Sequence, residues 1–472
     1  MWPTKYSKTV NTDKWNSMIT GPKRDILGEL NTAGEKHGLK MGIYYSLYEW
    51  FHPLWLNDKE KFVTEWLHPK FKEVVTKYKP WHIFLDGEWE QDYKKWKSEE
   101  LAYWLYNESP VKNTVVVNDR WGQCRGVWGD IYESEYGGGK YSSPAHPWQE
   151  DRGIGHSYGY NRMESIYDYD SRDELIRMFS GVIGGGGNFL LCVGPTGDGR
   201  IPVIMQERLL QIGEWLEVNG DAVYGTTASP FWPRQFDWGT VSAKPGKLYL
   251  HVHNPELGEI EIKGLEAQIS EANLLHKTGK IPVLHKNKNG TFTCEWASYL
   301  NDDAVTVIEL NIAEGYKVEK TTIQFGNGNI EFNCWAMEVH GEKAYPHYDG
   351  YQNRLRMLNW TDPQEYLTTD IIIEQPGEFE LSLVYGATKG DKGNEFLKAV
   401  PGTVGAMYKI DFAGNSIKEK IKDTGNSNVP NPVKVGKIKI DRPGKYKFTI
   451  KPVDDGNWTE FRFQGVKMKF IR

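Results

Sequence analysis

The chain has little of what would declare a common function. Its four cysteines, Cys124, Cys192, Cys294 and Cys334, lie far apart with no CxxC spacing. That argues against a zinc site or a disulfide framework and leaves the redox compartment open. No GxGxxG follows a first strand, and the run Gly184 to Gly187 precedes a strand rather than opening a helix. A nucleotide loop needs the reverse order, so no cofactor is expected. No apolar run approaches a membrane span. Basic residues are scattered and the formal net charge is −6, so no nucleic-acid footprint is visible. The opening Met1-Trp2-Pro3-Thr4 has neither the n-region nor the h-region of a signal peptide and reads as the middle of a longer unit.

What the chain does have is aromatic side chains. They make up 13% of its 472 residues, with 19 Trp and 26 Tyr. The length implies two or three domains. The densest signal is Trp-His-Ile-Phe-Leu-Asp-Gly-Glu-Trp-Glu, ending at Glu90. Residues 81–85 form an apolar run suited to a fully buried strand. The run stops at Asp86, and Gly87 permits a turn. A carboxylate at the C-terminal end of a buried parallel strand sits where barrel enzymes keep their chemistry. Asp86, Glu88 and Glu90 beside Trp81 and Trp89 suggest a sugar surface, on which indoles stack and an acid reacts. The same residues also suit a strand followed by an acidic loop.

From 21 to about 224 the pattern alternates helix and buried strand. Helices are predicted at 25–37 (with Gly38 as C-cap), 59–78, 99–107, 172–182 and 203–218. Strands are predicted at 41–46, 81–85, 114–119 and 188–194, with a fifth at 131–135. The stretch 122–160 has little helical period and is long for a loop. Alternation of this kind means a parallel sheet. Tyr44, Asp86 and Arg120 all fall at predicted strand ends, which favours a TIM-like (β/α) barrel over a doubly wound sheet. Four or five strands fall short of the eight that a barrel needs. The deficit places the missing strands before residue 1.

After residue 224 the helical period disappears. Residues 225–320 read as an antiparallel β-sandwich. From 321 to 472 a second all-β module is expected, in which Pro376-Gly377-Glu378-Phe379 and Pro443-Gly444-Lys445-Tyr446 each start a strand. Tyr345, His347, Tyr348, Tyr351 and Trp360 suit either a ligand platform or a core.

Several motifs resemble the α-L-fucosidases of glycoside hydrolase family 29. They are Trp2-Pro3-Thr4-Lys5-Tyr6-Ser7, Gly21-Pro22-Lys23-Arg24-Asp25 and Tyr44-Tyr45-Ser46-Leu47-Tyr48-Glu49-Trp50. Leu85-Asp86-Gly87-Glu88-Trp89-Glu90, Val117-Asn118-Asp119-Arg120-Trp121-Gly122 and Gly194-Pro195-Thr196 followed by Asp198-Gly199 complete the set. The resemblance covers roughly residues 1–312 and looks nearest to the broad-specificity branch. It implies a (β/α) barrel in 1–224, followed by the sandwich in 225–320. The activity implied is retaining exo-hydrolysis of terminal α-L-fucosyl residues from oligo- or polysaccharides, without a metal or cofactor. Asp86 takes the family's nucleophile position. The acid/base falls in a variable loop, where Glu135 aligns best and Glu133, Glu150 and Asp130 are alternatives. Tyr44 and Arg120 resemble pocket residues, and Tyr158 stands where the family places an aromatic against the fucose methyl.

The family's sugar-binding His-His pair lies upstream of the Trp-Pro motif, so the chain is expected to be N-terminally incomplete and inactive alone. A catalytically incomplete carbohydrate-binding pseudoenzyme is the alternative reading, and a glycosidase for a related sugar is a third. Residues 321–472 resemble carbohydrate-binding modules of secreted enzymes. They are expected to bind a fucose-containing polysaccharide and to contribute little to chemistry. Family and module together suggest a secreted, periplasmic or lysosomal protein. The oligomeric state is not readable.

Overall fold

A computed structural model describes residues 2–6, 16–137, 143–348, 354–389, 404–454 and 456–471. The chain divides into two compact bodies, 1–133 and 134–472.

In the first body, three short strands pair in parallel: β1 (Gly42–Ser46), β2 (His82–Asp86) and β3 (Val116–Val117). A bridge from Asn118 to Ile131 continues the pairing in the same sense. Helix Ile26–Lys36 begins at Asp25, whose side chain accepts from the Gly28 N–H. The same carboxylate takes the Tyr78 hydroxyl at 2.7 Å and Lys77 Nζ at 2.9 Å, so this one cap also fastens helix His68–Tyr78. The predicted helix over 59–78 is present, with one widened turn at Phe62–Leu67. It stops at Lys79, which is left-handed (φ 48°), just before Pro80. The buried face of this helix, with Phe71, Val74 and Val75, packs in one core with Ile83 and Leu85 of β2. Burial at that seam fixes where β2 ends, and Asp86 is the residue at that end.

β4 (Tyr132–Glu135) runs across the division at 133, and in the sheet order it is followed by β5 (Trp148–Gly153) and β6 (Asn188–Cys192) of the second body. β5 and β6 run parallel, with Glu150 opposite Phe189 and Asp151 opposite Leu190. Helix Arg172–Gly184 starts with a capping box in which Ser171 and Glu174 satisfy each other's end groups. Helix Val203–Asn219 follows. β5 lies inside the stretch that the sequence reads as a long loop.

Strands between Gly239 and Val318 form two antiparallel sheets around a shared core. One sheet runs Gly279–Pro282, Leu265–His276, Thr306–Val318, Lys247–Val252, Gly239–Lys244. The other runs Leu284–Lys288, Thr291–Glu295, Glu259–Lys263. Leu250, Leu274 and Leu310 from the first share a core with Ile262 and Phe292 from the second.

From Thr322 the chain builds two further sheets around one core. Both Pro-Gly signals open strands there, Gly377–Gly386 and Gly444–Val453. A separate antiparallel hairpin pairs Tyr345–Tyr348 with Leu355–Leu358. Trp360 is fully buried, and its indole N–H donates to the Glu365 carbonyl. Of the two readings open for it, Trp360 is core, whereas Tyr345 remains 44% exposed. Tyr351 lies outside the described residues. No helix of the described residues is long and apolar enough to cross a membrane.

Candidate active site

The first body brings together Tyr44 of β1, Asp86 at the C-terminal end of β2, and Glu88 and Arg120 shortly after β2 and β3. β1 and β2 are in register, with Ser46 opposite Asp86 and Tyr44 opposite Phe84. The Asn118 side chain clamps the end of β2: its amide oxygen accepts from the Leu85 N–H and its amide nitrogen donates to the Leu85 carbonyl, both at 2.9 Å. Asn118 is fully buried, so it pins the backbone immediately before Asp86. Gly87 then turns the chain at φ 74°. A Cβ there would stand 2.6 Å from the Tyr48 ring, so both conformation and space call for glycine.

Both oxygens of Asp86 are engaged. Arg120 Nη1 donates to Oδ1 at 2.9 Å, and the Tyr44 hydroxyl donates to Oδ2. Arg120 is 5% exposed and its guanidinium lies 5.5 Å from the centre of the Phe84 ring. Tyr44 stacks on the same ring at 5.7 Å. Loss of solvent, then the bond to Asp86, pushes the Tyr44 hydroxyl well above its ordinary range, so it stays a donor. Glu88 is 4% exposed and lies 3.8 Å from Arg120 Nη1. Burial raises its carboxyl above the usual range, and Arg120 and then Arg125 oppose that rise. Of the two tryptophans, Trp89 lies beside Tyr48, whereas Trp81 sits at the opposite end of β2 under Lys40. The two indoles therefore do not form one surface around Asp86.

Two of the acid/base alternatives also fall in this body. Asp130 accepts from Tyr106 at 2.7 Å and from the Val117 N–H at 2.8 Å, which gives it a structural task. Glu133 is buried, and its N–H and carbonyl are held by Asp119 and Arg125.

The second body brings Glu135 and Tyr158 together. Burial, the charges of Asp151 and Glu135, and a hydrogen bond with Glu135 push the Tyr158 hydroxyl up. Tyr136 packs edge-on against Tyr158 at 5.2 Å. Glu150 lies on β5 and is fully buried, with the Ser134 hydroxyl donating to its Oε2. Ser134 and Asp151 carry no role in the sequence reading, in which Glu88 is one of three acids around Asp86 and Glu150 is an acid/base alternative. No group of three or more acidic, His or Cys side chains among the described residues is arranged to hold a metal.

The site is thus a carboxylate at the end of a parallel strand, bonded to a buried guanidinium on one oxygen and to a tyrosine hydroxyl on the other, an arrangement compatible with a glycoside-cleaving protein. The comparisons give the family. Residues 1–221 match the α-L-fucosidase family model. The chain is 42% identical over 248 residues to the α-L-fucosidase of Dictyostelium discoideum, covering 50% of this chain and 54% of that one. It is 41% identical over 275 residues to the tissue α-L-fucosidase of Homo sapiens, covering 56% and 57%. The chain thus spans little more than half the length of these curated relatives. The solved Thermotoga maritima α-fucosidase is 30% identical with a TM-score of 0.52, over 66% of this chain and 72% of that one. An α-L-fucosidase from Vibrio sp. strain EJY3, 21% identical, shares the fold over 98% of this chain and 82% of that one, with a TM-score of 0.70. The chain belongs to the α-L-fucosidase family.

Proposed function

We propose that this protein is a retaining exo-α-L-fucosidase acting on terminal α-L-fucosyl residues of oligo- or polysaccharides, with its catalytic part a (β/α) barrel. The observation that carries the reading is the Asp86 carboxylate, fixed by Arg120 on one oxygen and Tyr44 on the other. Retaining hydrolysis needs a nucleophilic carboxylate and an acid/base roughly 5–5.5 Å away. Asp86 attacks the anomeric carbon while the bond to the leaving oxygen breaks. Glu135 gives that oxygen its proton, then takes one from the water that releases fucose from Asp86. Arg120 is buried and stays on Oδ1, where it carries the charge. Tyr44 is 64% exposed and releases Oδ2 to the sugar. Tyr158 packs against the substrate beside Glu135. Residues 321–472 act as a carbohydrate-binding module, with Tyr345 as a stacking side chain.

Asp86→Gly in the full chain, supplied with azide, tests the central assignment. The variant is expected to lose hydrolysis and to yield a β-fucosyl azide from an activated aryl α-L-fucoside. Full activity without azide would overturn it. Fucoside binding with no turnover in the unmutated chain would favour the pseudoenzyme reading instead.

A further inference from the structure

The hairpin Tyr345–Tyr348/Leu355–Leu358 belongs to the C-terminal sandwich, yet its end reaches the strands that carry the acidic residues of the second body. The Tyr348 hydroxyl lies 3.0 Å from Ser134 Oγ. Ser134 in turn donates to Glu150 Oε2. A serine hydroxyl has one proton. With that proton on Glu150, the Tyr348 hydroxyl is the donor to Ser134, and the three groups form a chain of one polarity. Such chains strengthen each bond along them. Ser134 and Glu150 are almost fully buried, so water does not replace Tyr348 cheaply.

The hairpin is fixed to the core of its own module. Tyr348 pairs with Leu355, and Leu355 and Met357 are fully buried in the core of the C-terminal sandwich. The Tyr348 ring packs against that same core. Its hydroxyl is therefore a rigid post set in one module and bonded to the sheet of another. Ser134 immediately precedes Glu135, and the Tyr136 N–H donates to the Asp151 carbonyl at 3.2 Å. What holds Ser134 also holds β4 and β5 in register around Glu135.

We propose that the C-terminal module is a structural part of the catalytic centre, with Tyr348 a positioning residue that acts through Ser134 and Glu150 on the strand bearing Glu135. This rests on the fucosidase reading above. It departs from the expectation that residues 321–472 contribute little to chemistry. The module's hairpin sets how well the leaving oxygen is protonated, not only where the enzyme is retained.

Tyr348→Phe in the full chain keeps the ring in its seat and removes one hydroxyl. Two measurements read the result. In hydrogen exchange, residues 132–136 and 148–153 are expected to exchange about fivefold faster or more, while the core strands of the C-terminal sandwich do not change. In kinetics, kcat on an unactivated phenyl α-L-fucoside is expected to fall about tenfold, with KM within about twofold. On a dinitrophenyl α-L-fucoside, which leaves without a proton, kcat is expected within about twofold of the parent. A merely structural role would slow both substrates alike. Ser134→Ala breaks the same link from the other side and is expected to repeat the pattern, which covers a failure of Tyr348→Phe to fold. Unchanged exchange in both segments, or equal slowing of both substrates, overturns the proposal. Faster exchange in a protein whose parent cleaves neither fucoside would favour the catalytically incomplete, carbohydrate-binding reading, overturn the catalytic part of the proposal and leave the hairpin's hold on these strands standing.

Discussion

Replacing Arg120 by Met tests the electrostatics of the centre directly. Met keeps an unbranched stem and removes the charged head that lies over Phe84. The guanidinium stands 2.9 Å from Asp86 Oδ1 and 3.8 Å from Glu88 Oε2. At an effective dielectric constant of about 20, each pair carries roughly 4–6 kcal/mol of gross attraction. Desolvation of three charged groups cancels much of that in the native protein. Truncating the cation leaves the desolvation and removes the attraction, so a loss of about 3–5 kcal/mol is expected at neutral pH. The sign of its pH dependence follows from Glu88. Burial holds that carboxyl above its ordinary value, and Arg120 is the first of the charges restraining the rise. A carboxyl raised on folding favours the native state below its unfolded pKa, and that contribution is lost as pH rises through the folded value. Without Arg120 the folded value moves higher, so the penalty of ionising Glu88 grows and the variant weakens more steeply with pH. Urea unfolding at pH 5 and pH 8 measures this. Arg120→Met is expected to be nearer the parent at pH 5, and Glu88→Gln added to it is expected to restore at least about half of the loss at pH 8. An equal loss at both pH values, with no rescue by Glu88→Gln, would refute the reasoning.

Two further outcomes are expected. Glu135→Ala should slow a phenyl fucoside by about a hundredfold or more and a dinitrophenyl fucoside far less, because only the former needs its proton; the same split in Glu133→Ala or Glu150→Ala, with Glu135→Ala unaffected, would move the acid/base. Tyr345→Ala should weaken retention of the full chain in an affinity gel containing a fucose-rich polysaccharide while leaving aryl fucoside turnover within about twofold; unchanged migration would remove Tyr345 from the sugar-binding surface.

Half of the site was legible because its strand is written in apolar residues. Ile83 to Leu85 are buried and Asp86 interrupts the run, so the strand end and the acid are one signal. Tyr44 and Arg120 reach Asp86 because β1 and β3 flank β2 in parallel pairing. β5 was not legible because it is written in Trp-Gln-Glu-Asp-Arg-Gly, which has neither an apolar run nor an alternation. Its Gln149, Glu150 and Asp151 are nonetheless buried. A strand can bury such residues only where hydroxyls and backbone groups satisfy them, and the partners are far away in sequence. Ser134 lies 16 positions from Glu150, and Tyr348 lies 214 positions from Ser134. Periodicity cannot register a pairing of that kind. Trp81 and Trp360 mislead for the opposite reason: both have the side chain of a sugar platform, but one caps the wrong strand end and the other fills a core.

The glycine run before β6 shows what holds that polar strand. Gly184 to Gly187 is the wrong shape for a nucleotide loop, and the structure gives it a different task. The Trp148 indole, at the start of β5, donates to the Gly185 carbonyl at 3.0 Å. Its six-membered ring lies where side chains would be: a Cβ on Gly187 would stand 2.4 Å from it and one on Gly185 3.0 Å. Trp148 is 2% exposed, so the ring has no other place to go. The glycines are a seat for this indole, and the indole is the apolar anchor that a strand of Gln, Glu, Asp and Arg otherwise lacks. Gly187→Ala should therefore act on β5 rather than on its own backbone. Overpacking at a buried site costs about 1–3 kcal/mol. That loss should be largely recovered when Trp148→Leu is added to Gly187→Ala, because the smaller side chain vacates the space that the new methyl needs. Unfolding of the parent, both single variants and the double variant closes the cycle. If Trp148→Leu and Gly187→Ala add without recovery, the indole is not what the glycines accommodate, and β5 is held by its polar partners alone.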